Sequence, residues 1–135
     1  MISSYSLNKT IAVNDTLEFD FNRILTGCTV KHAEGTSTFV LSKPGYYYIT
    51  FNGTITDTTA GNVTVQLLNG ATAVPGATAS GTIAAATDET TIGFATIVRV
   101  LPSCSAIDNT TNLVLSNTGI EATFSSINLN ITKLC

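Results

Sequence analysis

His32 is the single histidine of this 135-residue chain, so any Ser-His-Asp or Cys-His nucleophilic arrangement would have to pass through it. Its neighbours Lys31 and Glu34 place it in a loop or at a strand end. There an exposed or loosely hydrogen-bonded imidazole is expected rather than a catalytic base. No GxSxG elbow, HExxH pair, P-loop or GxGxxG run is present. Gly61, Gly70, Gly76 and Gly81 read as turn residues without the spacing of a phosphate cradle. Glu18 and Asp20 stand two apart, which on a strand puts two carboxylates on one face about 7 Å from each other. Such a pair could serve as a glycosidase acid and nucleophile or hold part of a calcium ion's shell. A solvated polar face of an edge strand is the expectation instead. Asp57, Asp88 and Glu89 lie in polar segments that do not spell out a dense oxygen-ligand loop. No catalytic residue, metal or cofactor is therefore expected.

The cysteines Cys28, Cys104 and Cys135 share no CxxC spacing, which argues against zinc or a thioredoxin-like motif. An odd count in a chain without an export signal favours free thiols. Cys28 and Cys104 are expected as small buried residues, and Cys135 matters only through a neighbouring loop or chain. Asn-x-Ser/Thr sequons begin at Asn8, Asn14, Asn52, Asn62, Asn109 and Asn130, a natural by-product of Thr-rich strands.

The elements that must position these groups follow a period of two almost throughout. Leu17, Phe19 and Phe21 alternate with Glu18 and Asp20, giving an apolar and an acidic face. Phe39 and Leu41 follow, then a turn at Lys43-Pro44-Gly45. Tyr47, Ile49 and Phe51 share one side of a strong strand, and Val63, Val65 and Leu67 share one side of the next. That strand ends at Asn69-Gly70, a two-residue hairpin signal. Pro75, Gly76 and Gly81 mark residues 71–86 as a loop or weak strand. Residues 92–101 form a strand with two largely apolar faces, residues 112–116 another, and residues 126–133 a last one with Ile127, Leu129 and Ile131 aligned. No segment carries a helical period. Strands recurring every ten to twelve residues with turn chemistry between them predict an all-β sandwich or barrel.

Only 11% of the residues are charged, against roughly 25% in soluble domains, and the net charge is −3. With 44% apolar residues and a mean hydropathy of +0.31, disorder is excluded. The absence of a basic stripe argues against nucleic acid, and no apolar run reaches the ~18 residues that span a bilayer. Residues 1–7 carry no signal-peptide pattern, so synthesis in a cytoplasm without export is expected.

The order of these signals resembles the C1q/TNF-like jelly-roll family, in particular its bacterial and bacteriophage members. The resemblance rests on Leu17-Glu18-Phe19-Asp20-Phe21-Asn22, on Thr38-Phe39 and on Pro44-Gly45-Tyr46-Tyr47-Tyr48-Ile49-Thr50-Phe51. Val65-Gln66-Leu67-Leu68-Asn69-Gly70, Thr96-Ile97-Val98-Arg99-Val100 and Ser126-Ile127-Asn128-Leu129-Asn130-Ile131 complete it. It implies a ten-stranded jelly-roll β-sandwich over residues 16–135, a compact homotrimer, and binding or decoration rather than catalysis. Residues 1–15 are expected as an N-terminal arm or first strand and a candidate anchor. Strands that are apolar on both sides support the trimer independently, since one side meets the opposing sheet and the other needs a partner chain. Tyr46, Tyr48, Phe94 and Ile97 are the residues expected at that contact.

The expected role is a non-enzymatic virion component of a bacteriophage, a homotrimeric capsid decoration or head-fibre protein whose partners are its own copies and capsid or fibre proteins. The competing expectation is a receptor-binding module of a tail fibre or bacterial surface filament that recognises host glycans. The lack of Trp counts against aromatic glycan platforms.

Overall fold

The computed structural model describes residues 1–27, 29–56, 60–70, 72–85, 88–100 and 111–134. The described strands are β1 (Ile2–Ile11), β2 (Phe21–Leu25), β3 (Val30–Lys31), β4 (Phe39–Leu41) and β5 (Gly45–Thr56). They continue with β6 (Gly61–Asn69), β7 (Thr72–Ile83), β8 (Thr90–Val100), β9 (Thr111–Asn117) and β10 (Ala122–Lys133). All pairings are antiparallel and form two five-stranded sheets, in the orders β2-β1-β10-β5-β8 and β3-β4-β9-β6-β7. This is the ten-stranded sandwich that the jelly-roll resemblance implies, and it fits the alternation pattern for a simple reason. Successive side chains leave a strand on opposite sides, so every second residue of each strand must be apolar if two sheets are to enclose one core.

In β5 the inward set is Tyr47, Ile49, Phe51 and Ile55, all fully buried. Across the core lie Val63, Val65 and Leu67 of β6, and beside β5 stand Ile127, Leu129 and Ile131 of β10. Each such side chain contributes about 1.5–3 kcal/mol on leaving water, and together they fix register, because a one-residue slip would turn the whole set outward. Tyr47 is the one large inward residue with a polar end. Its hydroxyl donates to the Lys43 carbonyl at 2.6 Å, tying β5 to the turn before it, and burial pushes the phenol's pKa up. Replacing it, Tyr47→Phe, removes that bond and little packing. A stability loss of about 1 kcal/mol is expected in urea denaturation, with an unchanged slope; no loss would mean the tether contributes nothing.

The structure departs from the sequence expectations in three places. First, residues 16–20 do not form a continuous strand, having only isolated bridges at Thr16 and Phe19. Leu17 and Phe19 are fully buried as expected, but Phe21 begins β2, pairs with Tyr5 and turns outward, 48% exposed. Secondly, of the loop or weak strand expected over residues 71–86 the strand is what forms, and it is longer than a weak strand would be: a twelve-residue edge strand, β7. Pro75 and Gly76 are accommodated because the register jumps from Gln66↔Thr78 to Leu68↔Ala73, so residues 74–77 bulge away from the ladder. An edge bulge has no rung to lose at a proline and welcomes a glycine at φ 79°. The Gln66 amide donates to the Val74 and Ala77 carbonyls at 3.0 and 3.2 Å and so pins the bulge. Thirdly, Asn69 still belongs to β6 and pairs with Thr72, so the hairpin turn starts at Gly70, whose φ is 63°.

Residues 2–11 form β1, hydrogen-bonded to β2 on one side and β10 on the other. Its inward positions include Ser4 and Ser6, both fully buried, and the Ser6 hydroxyl donates to the Glu18 carbonyl while accepting from the Asp20 amide. The small polar residues explain why this strand carries so weak a hydrophobic alternation.

Candidate assembly face

The outward side of the β2-β1-β10-β5-β8 sheet is built by strict parity. Tyr46, Tyr48, Thr50 and Asn52 leave β5 outward, opposite Arg99, Ile97, Ala95 and Gly93 of β8. Tyr46, Tyr48 and Ile97 are 43%, 42% and 57% exposed, and the Arg99 guanidinium lies 5.5 Å over the Tyr46 ring. On the opposite flank Tyr5 stacks on Phe21 with centroids 5.2 Å apart, under the Arg23 guanidinium at 5.0 Å, and Leu7 and Ile24 stand exposed nearby. Between the flanks runs a neutral polar stripe. Asn130 donates to the Asn128 side chain at 2.8 Å and to the Thr50 hydroxyl at 3.2 Å.

The other sheet presents a different surface. Its outward residues on β6 and β7 are Asn62, Thr64, Gln66, Thr78, Ser80 and Thr82, joined in cross-strand bonds such as Thr82 to Asn62 at 3.0 Å and Thr78 to Gln66. Among the described residues, every exposed large apolar side chain lies in strands of the first sheet or in the segments flanking them, and none lies on the second. One face of the sandwich is therefore aromatic and aliphatic, the other neutral and hydroxyl-rich.

Of the four residues expected at a subunit contact, Tyr46, Tyr48 and Ile97 share this face. Phe94 does not. It stands three positions from Ile97, so the two point to opposite sides, and the pairing Phe51↔Phe94 turns Phe94 inward, where the rings stack at 5.6 Å. Period two already puts the two positions on opposite sides, but apolar residues on both parities of β8 hide which set faces the core.

A groove of about 560 Å³ continues the face around the sandwich edge, where β7 and β8 part. Val74 and Pro75 of the β7 bulge form one wall and Ile97 and Arg99 the other, with Asn69 and Thr72 at one end.

The residues weighed for catalysis are not assembled into a site. Asp20 accepts from the Lys9 ammonium at 3.0 Å, while Glu18 is exposed and lines, with Asp15 and Lys9, a polar recess of about 340 Å³. Asp88 accepts from the Ala85 amide within its own turn at 3.2 Å. Among the described residues no three His, Cys, Asp or Glu side chains come together as metal ligands. Asp57, Cys28, Cys104 and Cys135 lie outside the described residues. His32 differs from its sequence expectation: it is 7% exposed, stacked on Phe39 at 4.1 Å, with both ring nitrogens within hydrogen-bond distance of oxygens.

No family model matches the chain, and no curated protein sequence does. Solved structures match it over nearly its whole length. The PRD1 vertex protein P5 superposes with a TM-score of 0.61 at 20% identity, over 99% of this chain and 96% of that one. The Eiger TNF of S. frugiperda gives 0.69 at 8% identity, over 99% and 92%. Murine APRIL gives 0.54 at 8%, over 94% and 97%. The fold is a TNF-like jelly roll. At these identities the likeness carries the architecture, so function has to be argued from the surface this chain presents.

Proposed function

We propose that this chain is a non-enzymatic structural protein of a bacteriophage virion, a homotrimer that decorates or stabilises the capsid surface or forms a head fibre. The observation that carries this reading is the segregation of the described exposed large apolar side chains to one sheet of the sandwich and the segments flanking its strands. Two exposed apolar patches on one sheet, each carrying a Tyr-Arg stack and separated by a neutral polar stripe, are what a permanent contact between chains uses and what a lone chain avoids. The two flanks of the face are unlike each other, with Tyr5 and Phe21 on one and Tyr48, Ile97 and the β7-β8 groove on the other. Unlike patches suit head-to-tail contacts that close into a ring, and a trimer is the ring that the jelly-roll resemblance implies. The fold shared with a phage vertex protein supports a place on a particle. Synthesis in the host cytoplasm and partners among capsid or fibre proteins belong to the same reading.

Because β1 is held between β2 and β10, an anchor within residues 1–15 falls to the exposed segment around Val13 rather than to a detachable arm. Light scattering on the purified protein tests the assembly first. The expected particle has three times the 14.1 kDa chain mass and persists on dilution to the micromolar range. A monomer at high protein concentration would overturn the reading.

A further inference from the structure

We propose that Gln66 is a positioning residue for assembly: from the hydroxyl-rich face of the second sheet it sets one wall of the β7-β8 groove. The proposal rests on the reading that this groove belongs to a contact with a second copy. The β7 wall is a bulge rather than a regular strand. The registers Gln66↔Thr78 and Leu68↔Ala73 leave four residues, 74–77, opposite the single residue Leu67. None of these five has a partner in the described β6-β7 ladder, so their carbonyls must find other donors or water. The Gln66 Nε2 lies 2.9 Å from the Leu67 carbonyl oxygen, 3.0 Å from that of Val74 and 3.2 Å from that of Ala77. Three acceptors around one nitrogen fix which end of the amide is the donor. One side chain thus gathers three carbonyls from both sides of the break, and the Thr78 hydroxyl orients it by donating to its Oε1.

Apolar contacts hold the two feet of the bulge and leave its crest to this tether. Ala77 is fully buried, and Val74 packs against the core. Between them Pro75 and Gly76 are exposed, Gly76 at φ 79°, and a Cβ on Gly76 would meet nothing within 4 Å. With open space around it, the crest is not fixed by packing. Val74 and Pro75 form one wall of the groove of about 560 Å³, and Ile97 and Arg99 the other. The carbonyl that Gln66 holds at 3.0 Å belongs to the residue immediately before Pro75, so the tether decides how far this wall stands from β8. A contact between chains is packed as closely as a protein interior, and a wall that shifts loses that fit.

Gln66→Met keeps the length of the side chain but has no donor, whereas Gln66→Lys brings an ammonium with three donors to the same carbonyls. NMR amide shifts and hydrogen exchange at Ala73, Val74 and Gly76 report the bulge, and sedimentation velocity reports association. In Gln66→Met those amides are expected to shift and lose protection, while the central Ile49 and Leu129 amides keep theirs. Association is expected to weaken roughly tenfold or more in Gln66→Met and to stay near the wild type in Gln66→Lys. Thr82→Met, on the same face but away from the bulge, should change neither. Unmoved bulge amides in Gln66→Met, or a Gln66→Lys as weak as Gln66→Met, would overturn the proposal. An assembled wild type whose association Gln66→Met leaves intact overturns this inference alone, whereas a monomeric wild type removes the reading of the groove as a contact as well. Should Gln66→Met not fold, Thr78→Val decides, since it removes only the hydroxyl that orients the amide. The bulge amides and the association are expected to change in the same direction, and no change overturns the proposal.

Discussion

Ile97→Asp is expected to convert the assembled protein to monomers without unfolding it. Ile97 is 57% exposed on the outward side of β8, so the isolated chain loses little by the change. In the proposed assembly the same position would meet apolar surface of a neighbouring copy, where an unpaired carboxylate costs several kcal/mol. Taking about 3 kcal/mol per contact, association weakens roughly a hundredfold at each contact, and a closed ring multiplies the loss because every contact carries the substitution. Thr82→Asp, on the hydroxyl-rich face of the other sheet, is the matched control and should leave the mass unchanged. Sedimentation velocity separates the outcomes. An unaltered trimer in Ile97→Asp would show that the exposed face is not where the copies meet.

Asn117→Ala is expected to destabilise the fold by about 3 kcal/mol or more, the largest effect anticipated for one substitution outside the aromatic core. Asn117 is completely buried, yet it is polar and makes no ion pair. Its Nδ2 donates to the Ile11 carbonyl at 3.0 Å and to the Ile120 carbonyl at 2.8 Å, and its Oδ1 accepts the Gly119 amide at 3.1 Å. Its own backbone meets Asn14 and Asp15 at 2.7 and 2.9 Å. One side chain thus joins the end of β1 to the β9-β10 connection. Truncation strands three backbone groups, each costing about 1 kcal/mol or more when water cannot reach it. Gly119 shows how closely this connection is seated, since a Cβ there would come within 2.6 Å of the backbone of β6. Urea denaturation monitored by near-UV signals measures the loss. A change below about 1 kcal/mol would mean that water or a local shift replaces the three bonds.

Together the two substitutions separate the surface that gathers copies from the interior that holds one copy together.

Sequence by itself determined the strands with large apolar residues on one parity. Tyr47, Ile49 and Phe51, then Val63, Val65 and Leu67, then Ile127, Leu129 and Ile131 are inward in the fold because only a two-residue period buries them together. It likewise determined the all-β class, sandwich or barrel, and the outward placing of Tyr46 and Tyr48. Tertiary structure decided what local pattern leaves open. Phe94 and Ile97 sit in a strand apolar on both sides, and only the pairing with β5 says which side is the core. Phe21 breaks the alternation begun by Leu17 and Phe19 because the chain changes from isolated bridges to a strand paired with β1. The β7 bulge tolerates Pro75 only because it lies at an edge, a fact about neighbours rather than residues. His32 and Asn117 acquire their roles from partners such as Asn22, Ile11 and Ile120, which the pattern of apolar and polar residues does not specify. Periodicity encodes which side of a strand is greasy, whereas hydrogen-bond partners distant in the chain are set only when the two sheets close on each other.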